Sequence, residues 1–168
     1  MPCSKPVPLN AVEVKLCEYL ARMRTKANRD AGVTSIRKAS ESDEFIELQG
    51  IGGEVAFAKL FGLMPDLNLS LRSKGQNDVG DCYSPALGFI DVKTTQKESG
   101  PMNVRAPVRG VSYYALMTGT FPEFTFRGVA NWQAVFVEAF VSDVGRGPFW
   151  AVPQAALEAR SDLWVPYI

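Results

Sequence analysis

The chain contains no histidine. Without an imidazole there is no Ser-His-Asp or Cys-His catalysis, no His-ligated zinc and no histidine general base. Cysteine is scarce too: Cys3, Cys17 and Cys82 are odd in number and scattered, with no CxxC pair. Neither a disulfide framework nor a zinc cluster is indicated. Long apolar runs are missing. No stretch approaches the ~18 residues that a membrane span needs, and the start MPCSKPVPLN lacks the apolar region of a signal peptide. The expected setting is a reducing cytoplasm, in a bacterial or phage-infected cell, away from membrane. An excess of one charge is absent as well, since 18 Lys/Arg balance 18 Asp/Glu. The total therefore offers no electrostatic argument for nucleic acid. Hydrolytic chemistry is left to carboxylates, Lys, Tyr, Ser or Cys, an inventory suited to a hard cation on oxygen ligands.

What is present fits one domain with a real core: 168 residues, 46% hydrophobic and 21% charged. The neutral total hides segregation. Residues 5–38 carry eight Lys/Arg against Glu13, Glu18 and Asp30, whereas 41–47 hold four acids and no base. Helical spacing of Leu9, Val12, Leu16, Tyr19, Leu20, Met23 and Ala27 predicts a helix over 9–27. The polar stretch 30–49 reads as a loop. A second helix is expected from Ile51 to Phe61, opened by Gly50, Gly52 and Gly53 and stopped by Gly62 and Pro65. Strands are predicted at 69–74, 78–83 and 87–95, with turns at Gly75-Gln76-Asn77 and Ser84-Pro85. The Pro/Gly-rich segment 97–112 reads as an excursion. Strands at 113–117 and 124–130 follow, then a helix capped by Asn131 and running to about Ala139, a strand at 149–152 and a short helix at 154–159. The order argues one mixed α/β (α+β) domain. Residues 1–49 form its N-terminal helix and polar loop, and 50–168 its core.

Three places carry chemistry. In Leu87-Gly88-Phe89-Ile90-Asp91-Val92-Lys93, alternation sets Asp91 and Lys93 on one face with Phe89, and Ile90 and Val92 on the other. A plain ion pair at a strand end is the bland alternative. Asp81 lies ten positions before Asp91 across the Ser84-Pro85 turn, so a hairpin would return it alongside Asp91. Two carboxylates that close repel unless a cation lies between them. Asp78 competes for that role, and both acids could simply be turn formers. Glu54 shares a helix face with Ile51, Phe57, Ala58 and Phe61, opposite Ala56 and Lys59. A carboxylate in an apolar stripe needs a partner, whether a metal or a buried Arg.

The ordered set I-G-G-E, D-x-G-D and I-D-V-K-T-T resembles the PD-(D/E)xK nuclease superfamily, most closely its small phage and bacterial members. The resemblance spans about residues 50–160 and takes in Tyr113-Tyr114, Phe126 to Asn131 and Trp150 to Gln154. It implies a restriction-endonuclease-like core, a central mixed sheet flanked by helices. It also implies hydrolysis of phosphodiester bonds, in DNA rather than RNA, giving 5′-phosphates. The implied catalytic set is Glu54, Asp81, Asp91 and Lys93. Mg²⁺, or Mn²⁺ in its place, would be held by Asp81, Asp91 and the backbone carbonyl of Val92, with Glu54 binding directly or through water. Lys93 would orient the attacking water or stabilise developing charge. Gln96 is the candidate for a further site glutamine. One departure is the helix that commonly follows the D-x-K strand, which is not visible in 97–112.

Arg72, Lys74, Arg105 and Arg109 are the expected phosphate contacts. The face with Arg22, Lys26 and Arg29 reads rather as a solvated helix surface. The ten Phe and Trp132, Trp150 and Trp164 are assigned to the core. The alternative function is a module that keeps the fold and binds nucleic acid or a host protein without cleaving. Monomer and homodimer both stay open.

Overall fold

The computed structural model describes residues 5–32, 42–67 and 80–160. The predicted strand at 69–74 and the start of that at 78–83 lie outside these residues. So do Arg72, Lys74, Asp78 and Trp164.

Helix α1 runs over Ala11–Asp30. Asn10 begins it with a reciprocal cap: its side-chain oxygen accepts from the N–H groups of Val12 and Glu13, and Glu13 accepts from the Asn10 N–H at 2.7 Å. This satisfies donors that the first helical turn leaves open. Helix α2 spans Asp43–Phe61, eight residues earlier at its start than the glycines suggested. Ser42 caps it by accepting from the Phe45 N–H, and Asp43 and Glu44 favour its positive end. The expected loop at 30–49 is thus corrected for 43–49. The glycines do not open the helix; they let it touch the sheet. A Cβ at Gly53 would overlap Thr94 Cγ2, and one at Gly52 would lie 2.7 Å from Phe121 Cδ2. Gly62, with φ of 64°, ends the helix in the left-handed conformation.

Around α2 nearly every side is covered. Ala56, expected opposite the apolar stripe, is fully buried along with Ile51, Val55, Phe57, Ala58 and Phe61. The cause is a layer arrangement: α1 packs on one side of α2 and the sheet on the other. That sheet has the order β1-β6-β5-β3-β2, from Val7–Pro8 (β1), Cys82–Ser84 (β2), Gly88–Thr95 (β3), Val111–Thr120 (β5) and Glu123–Asn131 (β6). β3 and β5 pair in parallel and the other neighbours antiparallel, so the sheet is mixed and the fold α+β.

The parallel β3–β5 connection contains no helix. It contains β4 (Met102–Val104), which pairs with β8 (Pro148–Val152); β8 in turn pairs with β7 (Val141–Asp143). This small sheet was not foreseen. Met102, Val104, Tyr114, Leu116, Val135 and Val152 form a second apolar cluster with it, apart from the cluster under α1 and α2. Asn131 does cap a helix, but α3 covers only Trp132–Val135, and a 3₁₀ turn at Glu138–Phe140 replaces its expected continuation. The last predicted helix is likewise a 3₁₀ turn, Gln154–Ala156. Trp132 and Phe89 are corrected from core to surface, with 52% and 38% exposed. Among the described residues no helix is long and apolar enough to cross a membrane.

Candidate active site

The site is built on the β2–β3 hairpin. Its turn is closed by the Leu87 N–H donating to the Ser84 carbonyl at 3.2 Å. The register pairs Cys82 with Ile90, Tyr83 with Phe89 and Ser84 with Gly88. One step further along the same register sets Asp81 beside Asp91, as the hairpin length predicted. Asp81 enters the ladder through its backbone, donating its N–H to the Ile90 carbonyl at 2.8 Å. Its side chain then takes over where β2 has no further residue to offer: Asp81 Oδ2 accepts from the Val92 N–H at 2.6 Å.

Alternation along β3 sorts the side chains as expected. Ile90 and Val92 are buried in the cluster under α2. On the other face Lys93 Nζ donates to Asp91 Oδ1 at 2.8 Å. Both acids of the hairpin are buried, with 6% of each exposed. Burial, the negative charge of Glu54 and that of Asp91 push the Asp81 carboxyl well above the usual carboxylate range. The bond from Val92 pulls the other way and is outweighed, while a hydrogen bond with Asp91 raises it further. Asp81 therefore holds its proton more tightly than an ordinary carboxyl does. Burial would lower Lys93, but the Asp91 carboxylate beside it, by charge and hydrogen bond, and then Asp81 hold its ammonium above the ordinary lysine value.

Glu54 projects from the side of α2 that meets α1. Arg24 Nη1 approaches Glu54 Oε2 at 3.4 Å, and Arg24 Nη2 donates to the Asp66 carbonyl at 3.3 Å. The Asp66 N–H donates in turn to the Asp81 carbonyl at 2.7 Å. Arg24 thus ties α1 both to Glu54 and, through the Asp66 backbone, to the main chain of Asp81. Arg24 is the residue that sequence reading missed. The signal was there: Cys17, Leu20 and Ala21 mark the buried stripe of α1, and Arg24 continues it by one turn. Arg22, Lys26 and Arg29 had drawn attention instead.

Among the described residues no three His, Cys, Asp or Glu side chains close into a preformed metal cluster. Glu54 and Asp91 are still near enough to act electrostatically on Asp81. The buried thiols are not nucleophiles at neutral pH. Burial and then the charge of Glu54 push Cys17 up to about 12, and burial and then Asp81 push Cys82 up to about 12.

Of the outlying candidates, Gln96 lines a cavity of about 490 Å³ with Thr94, Thr95, Lys97 and Phe45, past the end of β3; none of the four predicted catalytic residues lines it. Arg105 lies with the small sheet, its guanidinium 5.9 Å from the Phe149 ring centroid and 3.4 Å from the Arg146 carbonyl. Arg109 is exposed on a loop that walls a second cavity, of about 360 Å³. No curated protein and no solved structure matches the chain. Residues 4–118, which include Arg24, Glu54, Asp81, Asp91 and Lys93, match a family of unknown function, DUF5843, and the chain belongs to that family.

Proposed function

We propose that the chain is a metal-dependent nuclease of the PD-(D/E)xK type, acting on phosphodiester bonds of nucleic acid, DNA first. The observation that carries this reading is the hairpin register: it sets two buried acids against each other, and an ammonium on the same strand face. Two buried acids set against each other form a donor set of hard oxygens whose mutual repulsion a divalent cation such as Mg²⁺ would relieve. Asp81, Asp91 and the Val92 carbonyl would hold it, with Glu54 nearby. When bound, such a cation supplies positive charge against the phosphate and lowers the pKa of water.

The chain's own groups have separable tasks. Lys93, held above its ordinary value, stays an ammonium and donates; it suits charge stabilisation and orientation rather than proton removal. Arg24 fixes Glu54 from α1. Labelled single- and double-stranded DNA and RNA, incubated with Mg²⁺, Mn²⁺ or EDTA, test the activity. Asp91→Asn and Lys93→Ala are each expected to lose about 10²–10³ in rate while staying folded. Near-normal cleavage by either purified variant would remove the assignment, as would failure of the wild type on every substrate.

One observation favours the alternative, a binding module without catalysis. Arg24 already balances Glu54, and Lys93 already balances Asp91, without a metal. On that reading millimolar Mg²⁺, Mn²⁺ and Ca²⁺ leave the melting temperature unchanged, whereas a native-state metal site raises it by mass action.

A further inference from the structure

Three large aromatic side chains lie exposed around the face that bears the acids. Tyr83 and Phe89 face each other across the β2–β3 hairpin, their ring centroids 5.2 Å apart, with 54% and 38% exposed. Alternation puts Phe89 on the face of Asp91 and Lys93, and Tyr83 on that of Asp81. The third, Trp132, opens α3 and lines the 360 Å³ cavity with Phe136, Tyr114, Ser112 and Pro107. That cavity adjoins the site. Tyr114 is the register partner of Asp91 on the neighbouring parallel strand, and Asp91 and Lys93 both act electrostatically on its hydroxyl. Ser112 comes so close to β3 that a Cβ on Gly88 would stand 3.0 Å from its Oγ. The acids thus share their face with the aromatic pair of the hairpin and adjoin the aromatic-walled cavity beside β5, with Lys93 within the face and Arg109 on the loop that walls the cavity.

We propose that this face takes single-stranded nucleic acid, with unpaired bases stacking on the Tyr83–Phe89 pair and against Trp132 in the adjoining cavity. The inference rests on the nuclease reading for what happens at the acids, but not for the binding itself. Flat rings interleaved with cations are what a single strand recognises, since each unpaired base presents a π-face and each linkage a phosphate. A duplex keeps those faces stacked on one another and offers only its backbone and the edges of its bases.

The test uses the full chain in EDTA, so that no cleavage intervenes. Fluorescein-labelled oligo(dT), oligo(U) and a duplex of the same length are titrated, following anisotropy and tryptophan emission. The single strands are expected to bind at least about ten-fold tighter than the duplex. Trp132→Ala and Tyr83→Ala should each weaken them by about 5- to 150-fold, the range that stacking of one base spans. Trp132→Phe should keep most of the affinity, and duplex binding should not respond to any of these changes. Equal or tighter binding of the duplex overturns the inference, as does single-strand affinity indifferent to both alanine variants. The nuclease reading is judged apart, on adding Mg²⁺. Duplex cleavage without a single-strand preference overturns the stacking face alone. Aromatic-dependent strand binding with no cleavage supports the stacking face and removes the hydrolytic reading.

Discussion

The two faces of β3 are only a strand's thickness apart and are built on opposite terms. Towards α2, Ile90 and Val92 are buried among apolar side chains, and Thr94 fits into the space that Gly53 leaves open. Away from α2, Asp91 and Lys93 are held to each other as an ion pair, and Asp81 beside them is held by a bond from the Val92 backbone amide. The first face stabilises the fold through close packing. The second costs stability and is kept in place by the first. Such a division is expected where chemistry is carried on a rigid strand.

Ile90→Ala should show the contrast most strongly. It removes a fully buried side chain from the α2 face and should lower unfolding free energy by about 2–5 kcal/mol in a urea titration. A loss below that range would mean the face is not the packed anchor described.

Gly53→Ala comes next. Its Cβ meets Thr94, so the change should cost about 1–3 kcal/mol through overpacking. Gly50 in the same helix has nothing within 4 Å of a modest Cβ, so Gly50→Ala should instead stabilise by about 0.4–1 kcal/mol. Equal signs for the two variants would show that helix propensity, not contact with the sheet, explains the glycines.

On the polar face the sign reverses. The folded Asp81 carboxyl is raised, so its contribution is fully present at pH below the ordinary carboxylate range. It is lost as pH climbs from that range through the raised folded value. In EDTA the wild type should therefore weaken over that window, and Asp81→Asn should not. Near neutral pH the variant should melt about 2–4 °C higher, the shift that about 1 kcal/mol gives a chain of this size. A lower melting temperature for Asp81→Asn would mean that the acid pair stabilises the fold.

Phe89→Ala should have the smallest effect, about 0.2–1 kcal/mol, since it removes one half-exposed cross-strand aromatic pair. A loss as large as that of Ile90→Ala would abolish the distinction between the faces.

Much of this was legible because local spacing carried it. The alternation of Ile90, Asp91, Val92 and Lys93, the ten-residue return of Asp81 and the cap at Asn131 each depend on residues close in sequence. What escaped depends on distant partners. Gly52 and Gly53 resembled a helix start until Phe121 and Thr94 came against them. The acids at 43, 44 and 47 resembled a loop because their helix is sheltered by other elements rather than by an apolar stripe of its own. The small sheet was hidden because Met102–Val104 finds its partner almost fifty residues later, at Pro148–Val152.

Sequence alone determined that any hydrolysis here is histidine-free, that an acid and an amine share one face of a hydrophobic strand, and that Glu54 needs a partner. Those follow from residue inventory and from the fixed periods of strand and helix, 2.0 and 3.6. Tertiary structure decided that Arg24 is among the partners of Glu54, that the Asp81 carboxyl is pushed upward, and that Trp132 faces outward. Each of these is set by burial and by charges from other elements, which depend on how α1, α2 and the two sheets stack; no spacing along the chain encodes that stacking.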